Sequence, residues 1–406
     1  MYRRVLFILL VPLLGSACIK SGADSAKLFR IPWPNSNHEY LLQDIAVESF
    51  SEPEFLRGDL AEFFIQPELR FDLGRIAQPG TPSGRFVSTS SGSYLALDTA
   101  SLQAVSIYAH LERLHNLDLK SGAALFLPVR QAVGINVGLT NSENRVVENN
   151  AQYNPSVDAL LFVPYTDVDL PIVFNAGVIA HEHFHSIFQK IVLSEFQVSK
   201  TYLSAKLEEP NQLPPLVDSS PLVLPKAKPL ISVAQYNRFV LRGINEGLAD
   251  YWGWLYSGDE SFVGRSLSSS LEARRMDRVN IQFYNLEFLK LVLSSDADDQ
   301  IRLARAYALG SQYAVYFRNL SRSLFDNQIS EATRAKLAHL LVLALPEFKN
   351  LLKVKLDTEY LAPEVFVKIF TKSIQDFSDA PKAKEFEFCK SFRSIAPLAQ
   401  ETCNEK

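Results

Sequence analysis

The segment His181-Glu182-His183-Phe184-His185 lies inside an apolar stretch, residues 172–193, whose periodicity predicts a buried helix. His181 and His185 are four residues apart, so they occupy one helix face, one turn from each other. Two imidazoles placed in this way can bind one tetrahedral zinc ion. Glu182 lies beside the first of them, where it can act as the general base for a zinc-bound water. The segment therefore predicts a zinc site on this helix.

A second polar cluster, Asn245-Glu246-Gly247-Leu248-Ala249-Asp250, lies downstream on a separate predicted helix. A catalytic zinc requires a third protein ligand, and the Glu246 carboxylate can supply it. Asp250, four residues later on the same face, can accept the remaining N–H of one ligand histidine, and Asn245 can accept that of the other. The alternative is a solvated pair of carboxylates. Apolar neighbours such as Trp252 instead indicate a buried helix.

In these two segments the sequence resembles the gluzincin metallopeptidases and, more loosely, the thermolysin-like families. The resemblance implies an α+β, zincin-like fold with a small mixed sheet in one half and a mostly helical C-terminal half. The helix that carries His181 would lie at their junction. In that family an Asn-Ala pair on an edge strand binds the substrate backbone, which corresponds here to Asn150 and Ala151. An asparagine-rich turn is the alternative for this pair.

The sequence departs from the thermolysin pattern at the residue that donates to the oxyanion of the reaction. In the thermolysin-like families this donor is a histidine late in the sequence. His339 is the late histidine here, and it lies in a helical segment without an active-site signature. Other gluzincins use a tyrosine, so Tyr307 is the first candidate and Tyr313 the second, with core packing as an open alternative for both. We expect His110 and His115 to be structural or surface residues.

The other histidine of the motif, His183, faces away from the ligand pair and is not expected to bind the metal. The resemblance implies a zinc-dependent hydrolase that cleaves peptide bonds, with a peptide or protein as its substrate and one catalytic zinc. Three alternatives stay open: an inactive zinc-binding surface protein, a zinc aminopeptidase and a non-peptidase zinc hydrolase. An aminopeptidase would require an additional acidic segment, and residues 134–138 lack the acid.

The N-terminal residues have the features of an export signal. A short basic start precedes the apolar run 5–14, which is too short to span a bilayer. Gly15-Ser16-Ala17-Cys18 resembles a bacterial lipoprotein cleavage box, in which Cys18 becomes the lipid-anchored N-terminus. Plain secretory cleavage after Ala17 is the alternative. Both predict a protein that leaves the cytoplasm, and the first places it on the bacterial envelope.

The two remaining cysteines, Cys389 and Cys403, are close together in sequence. In an oxidising compartment such a pair favours one disulfide that closes a short loop, and two unpaired thiols are the alternative.

Composition and periodicity divide the rest of the chain. With a formal net charge of -4 and no polybasic run, the sequence does not indicate a nucleic-acid partner. After the signal peptide at 1–17, we predict a β or irregular region at 18–98 and a sheet-containing half at 99–200. A proline-rich excursion at 201–232 precedes a helical half at 233–406. Within the second segment, the pattern predicts a helix at 99–119 and strands at 124–129, 133–139 and 160–165.

Overall fold

A computed structural model describes residues 26–140, 146–196, 231–267, 274–277, 286–295, 299–325 and 327–375. The predicted signal peptide at 1–17, the predicted lipidation site Cys18 and the cysteines Cys389 and Cys403 lie outside the described residues. So does the proline-rich segment at 201–232, apart from its last two residues.

The described residues form an α+β fold in which most strands precede most helices. The strands are β1 Lys27–Pro34, β2 Tyr40–Val47, β3 Ala61–Ile65, β4 Glu68–Arg70, β5 Arg75–Ala77, β6 Phe86–Ser88, β7 Tyr94–Ala96, β8 Gln131–Ile135, β9 Ala151–Asn154 and β10 Ala159–Phe162. The α-helices are α1 Thr99–Ser121, α2 Ala176–Phe188, α3 Val233–Ser257, α4 Phe262–Ser266, α5 Leu286–Ser295, α6 Asp299–Leu324, α7 Glu331–Lys355 and α8 Val365–Gln375.

The strands form two four-stranded sheets and one hairpin. One sheet has the order β2-β1-β7-β6, the second has the order β3-β8-β10-β9, and β4 pairs with β5. In the second sheet β3, β8 and β10 are parallel, whereas β9 runs antiparallel to β10 at the edge. Because β3 belongs to the leading region of the sequence, that region contributes a strand to the sheet that lies beside α2.

Strand β10 is buried on both faces, and this is why its sequence is continuously apolar. Leu160 and Phe162 face the main hydrophobic core, whereas Ala159 and Leu161 face a smaller apolar cluster on the other side of the sheet. Successive side chains of a strand point to opposite faces, so a strand covered on both faces has no polar positions.

The predicted strand at 124–129 is wrong. Gly122, with φ at 86°, ends α1, and a 3-10 turn at Ala123–Leu125 follows it. Leu125 and Val129 are 87% and 90% exposed, so this apolar run is a surface connection. Pro128 lacks the N–H that a sheet ladder requires, and the strand begins only at Gln131.

The predicted helix at 172–193 is divided into three parts. A 3-10 turn at Ile172–Phe174 precedes α2, and a π-helical turn at Gln189–Leu193 follows it. Asn175 causes the first break, because its side chain accepts from the N–H groups of Gly177 and Val178 and so caps α2. This cap starts a helix whose residues, from Ala176 to Phe188, are all buried.

Helix α3 packs closely between α2 and α6 because glycines face its neighbours. A methyl group on Gly253 would lie 2.7 Å from the carbonyl oxygen of Gly177. A methyl group on Gly247 would lie 2.4 Å from the carbonyl oxygen of Gly310. Only residues without a side chain permit these distances between helix backbones. The polar cluster on α3 is thereby brought against both neighbouring helices.

Candidate metal centre

Helices α2 and α3 run antiparallel, and their polar residues face each other. Gly177 lies against Gly253 at one end, and His185 contacts Asn245 further along. Between these contacts, the side chains of His181, His185 and Glu246 converge, and we call these three residues the metal centre. All three are buried, with exposed fractions of 5%, 6% and 6%.

The three inward atoms form a compact triangle. The two Nε2 atoms of His181 and His185 are 3.0 Å apart, and Glu246 Oε2 lies 3.5 Å from the first and 3.7 Å from the second. Ligands placed 2.0–2.1 Å from a tetrahedral zinc ion are separated from one another by about 3.3 Å. The triangle therefore has the size of a tetrahedral zinc site, and this buried group could hold a metal ion.

The outward nitrogens of the two imidazoles contact side-chain oxygens on α3. His185 Nδ1 lies 3.1 Å from Asn245 Oδ1, and His181 Nδ1 lies 2.8 Å from Asp250 Oδ1. The second contact is at hydrogen-bond distance but poorly aligned, so it is mainly an electrostatic contact. Contacts of this kind fix the ring orientation and place the hydrogen on Nδ1. When both imidazoles are neutral, as metal binding requires, each Nε2 then carries a lone pair that points into the triangle.

The two Nε2 atoms and the carboxylate oxygen of the triangle suit a cation. Two imidazole lone pairs and one carboxylate oxygen converge in a buried space, where like-signed partial charges are unfavourable. A metal cation at the centre satisfies all three atoms together. The fit to zinc rests on the donor types, since two imidazoles and one carboxylate leave a fourth tetrahedral position for a water or substrate.

Asp250 has a further partner that the sequence patterns missed. Arg274 donates from Nη2 to Asp250 Oδ1 at 2.6 Å and from Nε to Oδ2 at 3.2 Å. This arginine lies beyond the end of α3, and its spacing from the motif gives no signal of the contact. Burial by itself raises the pKa of Asp250, but Arg274 and His181 outweigh it and lower that pKa. Asp250 is therefore ionised beside the imidazole.

The pKa values at the metal centre follow from burial opposed by neighbouring charges. For His181 burial lowers the pKa, but Asp250 and Glu246 outweigh it and raise the pKa to about 10. Burial dominates at His185 and lowers its pKa to about 4, although Glu246 opposes it. Burial raises the pKa of Glu246, but the two histidines outweigh it and lower the pKa to about 2. A metal ion therefore competes with one proton on His181.

Glu182 lies beside the triangle without being part of it. Its Oε1 is 3.9 Å from His181 Nε2, and its Oε2 accepts from the Tyr153 N–H of β9 at 2.8 Å. The side chain is thus held between the metal centre and the edge strand of the sheet. A carboxylate in this position is suited to exchange a proton with a group bound next to the metal centre.

The edge strand β9 faces this carboxylate. Because the Tyr153 N–H points away from β10, the backbone groups of Ala151, two residues earlier, lie on the same open edge. Asn150 precedes the strand, and its Oδ1 accepts from the Ala151 N–H at 2.7 Å. Within the described residues, the structure therefore brings both predicted substrate-binding residues to the outer edge of the sheet, next to the metal centre.

The two tyrosine candidates lie in different surroundings. Tyr307 is partly buried on α6, one turn before Gly310, whose backbone lies against the Cβ of Glu246. The guanidinium carbons of Arg242 and Arg274 each lie 5.6 Å from the centre of its ring. The sequence patterns gave no indication of either arginine.

Tyr313 is fully buried, and its hydroxyl donates to the Pro363 carbonyl. That contact makes it a core residue, which leaves Tyr307 as the tyrosine candidate near the metal centre.

Three further histidines, His183, His339 and His110, lie outside the metal centre. His183 Nε2 contacts Asp118 Oδ2 of α1 at 2.8 Å, so this side chain joins the motif helix to α1. His339 Nδ1 lies 3.0 Å from the Ser121 carbonyl oxygen at the end of α1. His110 is buried against Trp33.

No family model matches the sequence, and no curated protein matches it. Within the described residues, no helix combines the length and the apolar character needed to cross a membrane. The geometry of the metal centre and its surroundings is therefore the basis for a functional proposal.

Proposed function

We propose that this protein is a zinc-dependent metallopeptidase of the gluzincin type, with a zincin-like arrangement of its sheet and helices. The observation that carries the proposal is the convergence of His181, His185 and Glu246 with Glu182 beside them. Zinc binding alone requires no acid at the Glu182 position, so its placement favours a hydrolase over an inactive metal-binding protein.

The bound zinc ion would supply Lewis-acid chemistry, which acidifies water and polarises a carbonyl group. Glu182 would accept the proton of the attacking water and later deliver it to the leaving amine. The Tyr153 N–H holds one carboxylate oxygen at 2.8 Å, which leaves the other oxygen, 3.9 Å from His181 Nε2, directed towards the reaction. General acid–base catalysis of this kind contributes about 10²–10⁴-fold to a rate.

The residues behind the ligands would act as positioning residues. Asn245 and Asp250 would orient the two imidazoles so that their Nε2 lone pairs meet at one point. Arg274 would in turn hold Asp250 through two hydrogen bonds and keep it ionised. A metal centre supported in this way is already arranged before substrate binds.

The substrate class follows from the open edge of β9. An extended peptide can add to a sheet edge through main-chain hydrogen bonds, and such an edge runs beside Glu182. Ala151 would offer its carbonyl oxygen to the peptide, and Asn150, whose Oδ1 accepts from the Ala151 N–H, would add the N–H groups of its side chain. This edge favours a peptide bond over another hydrolysable bond, and a chain-internal peptide over a bare amino terminus.

The oxyanion that develops during hydrolysis would be stabilised from α6 and α3. Tyr307 can offer its hydroxyl as a donor, and the nearby Arg242 and Arg274 add positive charge on that side of the site. The location of this peptidase would be the bacterial envelope, by export and lipid attachment at Cys18, as the leader sequence implies.

Digestion of a peptide library tests the proposal. The zinc-loaded protein should cleave internal bonds, activity should disappear after chelation, and added zinc should restore it. Mass spectrometry of the products separates internal cleavage from stepwise removal of N-terminal residues. The proposal fails if the zinc-loaded protein cleaves no peptide.

A further inference from the structure

A cavity lies at one end of the α2–α3 pair, away from the metal centre, which lies about midway along both helices. It has a volume of about 870 Å³ and is lined by α1, the end of β1, the end of α3 and the start of α7. Ala176, the first residue of α2, and Tyr256, near the end of α3, reach its wall. We call it the distal cavity, and it is within the range of about 300–1,000 Å³ that small-molecule sites occupy.

The distal cavity is separate from the metal centre. Glu246 lies nine residues before Leu255, which lines the cavity, and a helix rises about 1.5 Å per residue, so the two are roughly 13 Å apart along α3. The two sites therefore share a pair of helices but no side chain.

The charged residues of the distal cavity are mostly cations. Arg113, Lys120 and Arg334 line it, and Glu331 is the acidic residue among its wall residues. Within the described parts of the chain, none of the three cations forms an ion pair with a carboxylate. The first turn of α7 also belongs to the wall, and the positive end of a helix dipole favours an anion.

Arg334 gives the strongest indication of a ligand. It is partly buried, and its buried Nε has no hydrogen-bond partner among the described residues. Burial lowers the pKa of this guanidinium, although Glu331 opposes the effect. A buried guanidinium N–H without an acceptor is costly, and a bound anion would supply the acceptor.

Arg113 is held in place by aromatic rings. Its guanidinium carbon lies 4.5 Å from the centre of the Trp33 ring, and that ring stacks on His110 with centroids 4.1 Å apart. Tyr256 contacts His110 Nδ1 at 2.9 Å, while the buried His110 Nε2 makes no hydrogen bond of acceptable geometry. Cation–π contact fixes the arginine without neutralising it, so its donors are already positioned for an anion.

We propose that the distal cavity binds a small organic dianion, either a phosphate monoester or a dicarboxylate, through Arg334 and Arg113. Two guanidinium groups match acidic oxygens in both charge and geometry. The cavity volume accommodates an organic body in addition to the acidic groups. This inference does not depend on the chemistry of the metal centre.

Calorimetric titration tests this site with three probes: inorganic phosphate, succinate and the neutral molecule glycerol. Phosphate or succinate should bind at millimolar concentration or better, and glycerol should not. Stronger binding of phosphate indicates a phosphate monoester, and stronger binding of succinate indicates a dicarboxylate. Both zinc-loaded and zinc-free protein should bind, because the metal centre is not involved.

Substitutions in the cavity wall test whether the anion binds in the distal cavity. Arg334→Gln should weaken it about tenfold or more, because a charge-assisted hydrogen bond contributes that much. Ala335→Phe, which fills the cavity without changing charge, should also weaken it. Arg75→Gln is the matched control, because it removes the same charge from an exposed residue of β5. Circular dichroism shows whether each variant is folded.

Two results would overturn the proposal. One is the absence of binding of both anions to the wild-type protein. The other is unchanged binding in folded Arg334→Gln and Ala335→Phe, which would place the anion elsewhere, for example at the metal centre.

Discussion

Two buried histidine sites lie along the α2–α3 pair, one about midway along the two helices and one at their end, and different charges surround them. At the metal centre, His181 lies between Asp250 and Glu246, and these carboxylates raise its pKa to about 10 against the effect of burial. At the distal cavity, His110 lies beside Trp33 and Arg113, and burial together with that cation lowers its pKa to about 3. Burial is common to both sites, so the neighbouring charges are the reason that we propose a cation for one and an anion for the other.

The largest expected effect is on catalysis. Glu182→Gln should reduce peptide hydrolysis by about 10³-fold, because the amide cannot accept the proton. Zinc content should stay unchanged, since Glu182 is outside the ligand triangle. Peptide cleavage rates and metal analysis measure the two quantities. Glu359→Gln, at an exposed carboxylate, is the control, and full activity in Glu182→Gln would refute the assigned role.

Loss of a metal ligand should weaken zinc binding, whereas a substitution at the other histidine site should not. Glu246→Ala should weaken zinc binding more than the roughly 10–100-fold that is typical when an outer contact is removed. His110→Gln replaces the buried histidine of α1 in the wall of the distal cavity and should leave zinc affinity unchanged. Competition with a chromogenic chelator measures both. Similar affinities in the two variants would contradict the assignment of Glu246.

The outer contacts should have a smaller effect. Asp250→Asn should lower zinc affinity by about 10–100-fold, because the neutral amide orients and polarises His181 less strongly. The same chelator competition measures the change. Asp277→Asn, at a partly exposed carboxylate that pairs with Arg275, is the control and should leave the affinity unchanged. Wild-type affinity in Asp250→Asn would show that the 2.8 Å contact does not support the metal centre.

The expected effect that is furthest from the metal centre is on acid stability. The pKa of His110 is about 3 in the folded protein and ordinarily near 6.5, so between these values the unfolded chain binds a proton that the folded chain does not. Above about pH 6.5 His110 is neutral in both states, so it causes no loss of stability. As pH falls from there towards 3, the free energy of unfolding decreases by about 1.4 kcal/mol per pH unit. Arg113 and Tyr256 are the titratable groups that contact this part of the site.

Urea unfolding at a series of pH values measures this decrease. His110→Gln should flatten the dependence between pH 6 and pH 4, whereas His115→Gln on the same helix should retain it. An identical slope in wild type and His110→Gln would show that other groups govern the acid response.

The metal centre was predictable from the sequence where helical spacing determines which residues share a face. His181 and His185 share a face because helical periodicity places residues four apart together, and the same rule relates Glu246 to Asp250. The apolar residues around both motifs correctly indicated buried helices. Contact between the polar face of α2 and the polar face of α3 was therefore expected. The structure brings His181, His185 and Glu246 together as that reasoning requires.

Contacts without a local pattern were not predictable. Arg274 reaches Asp250 from beyond the end of α3, and Asp118 reaches His183 from α1, at separations set only by packing. The distal cavity is formed by four separate elements, none of which carries a motif. The error at 124–129 has a related cause, because apolar composition does not reveal that Leu125 and Val129 are exposed.

Anomalous diffraction at the zinc absorption edge, from crystals grown with zinc, tests the metal centre most directly. The account predicts one peak about 2.0–2.2 Å from His181 Nε2, His185 Nε2 and a Glu246 carboxylate oxygen. No peak should occur in the distal cavity. A zinc-loaded crystal with no peak between these three side chains, or with its zinc bound elsewhere on the chain, would contradict the account.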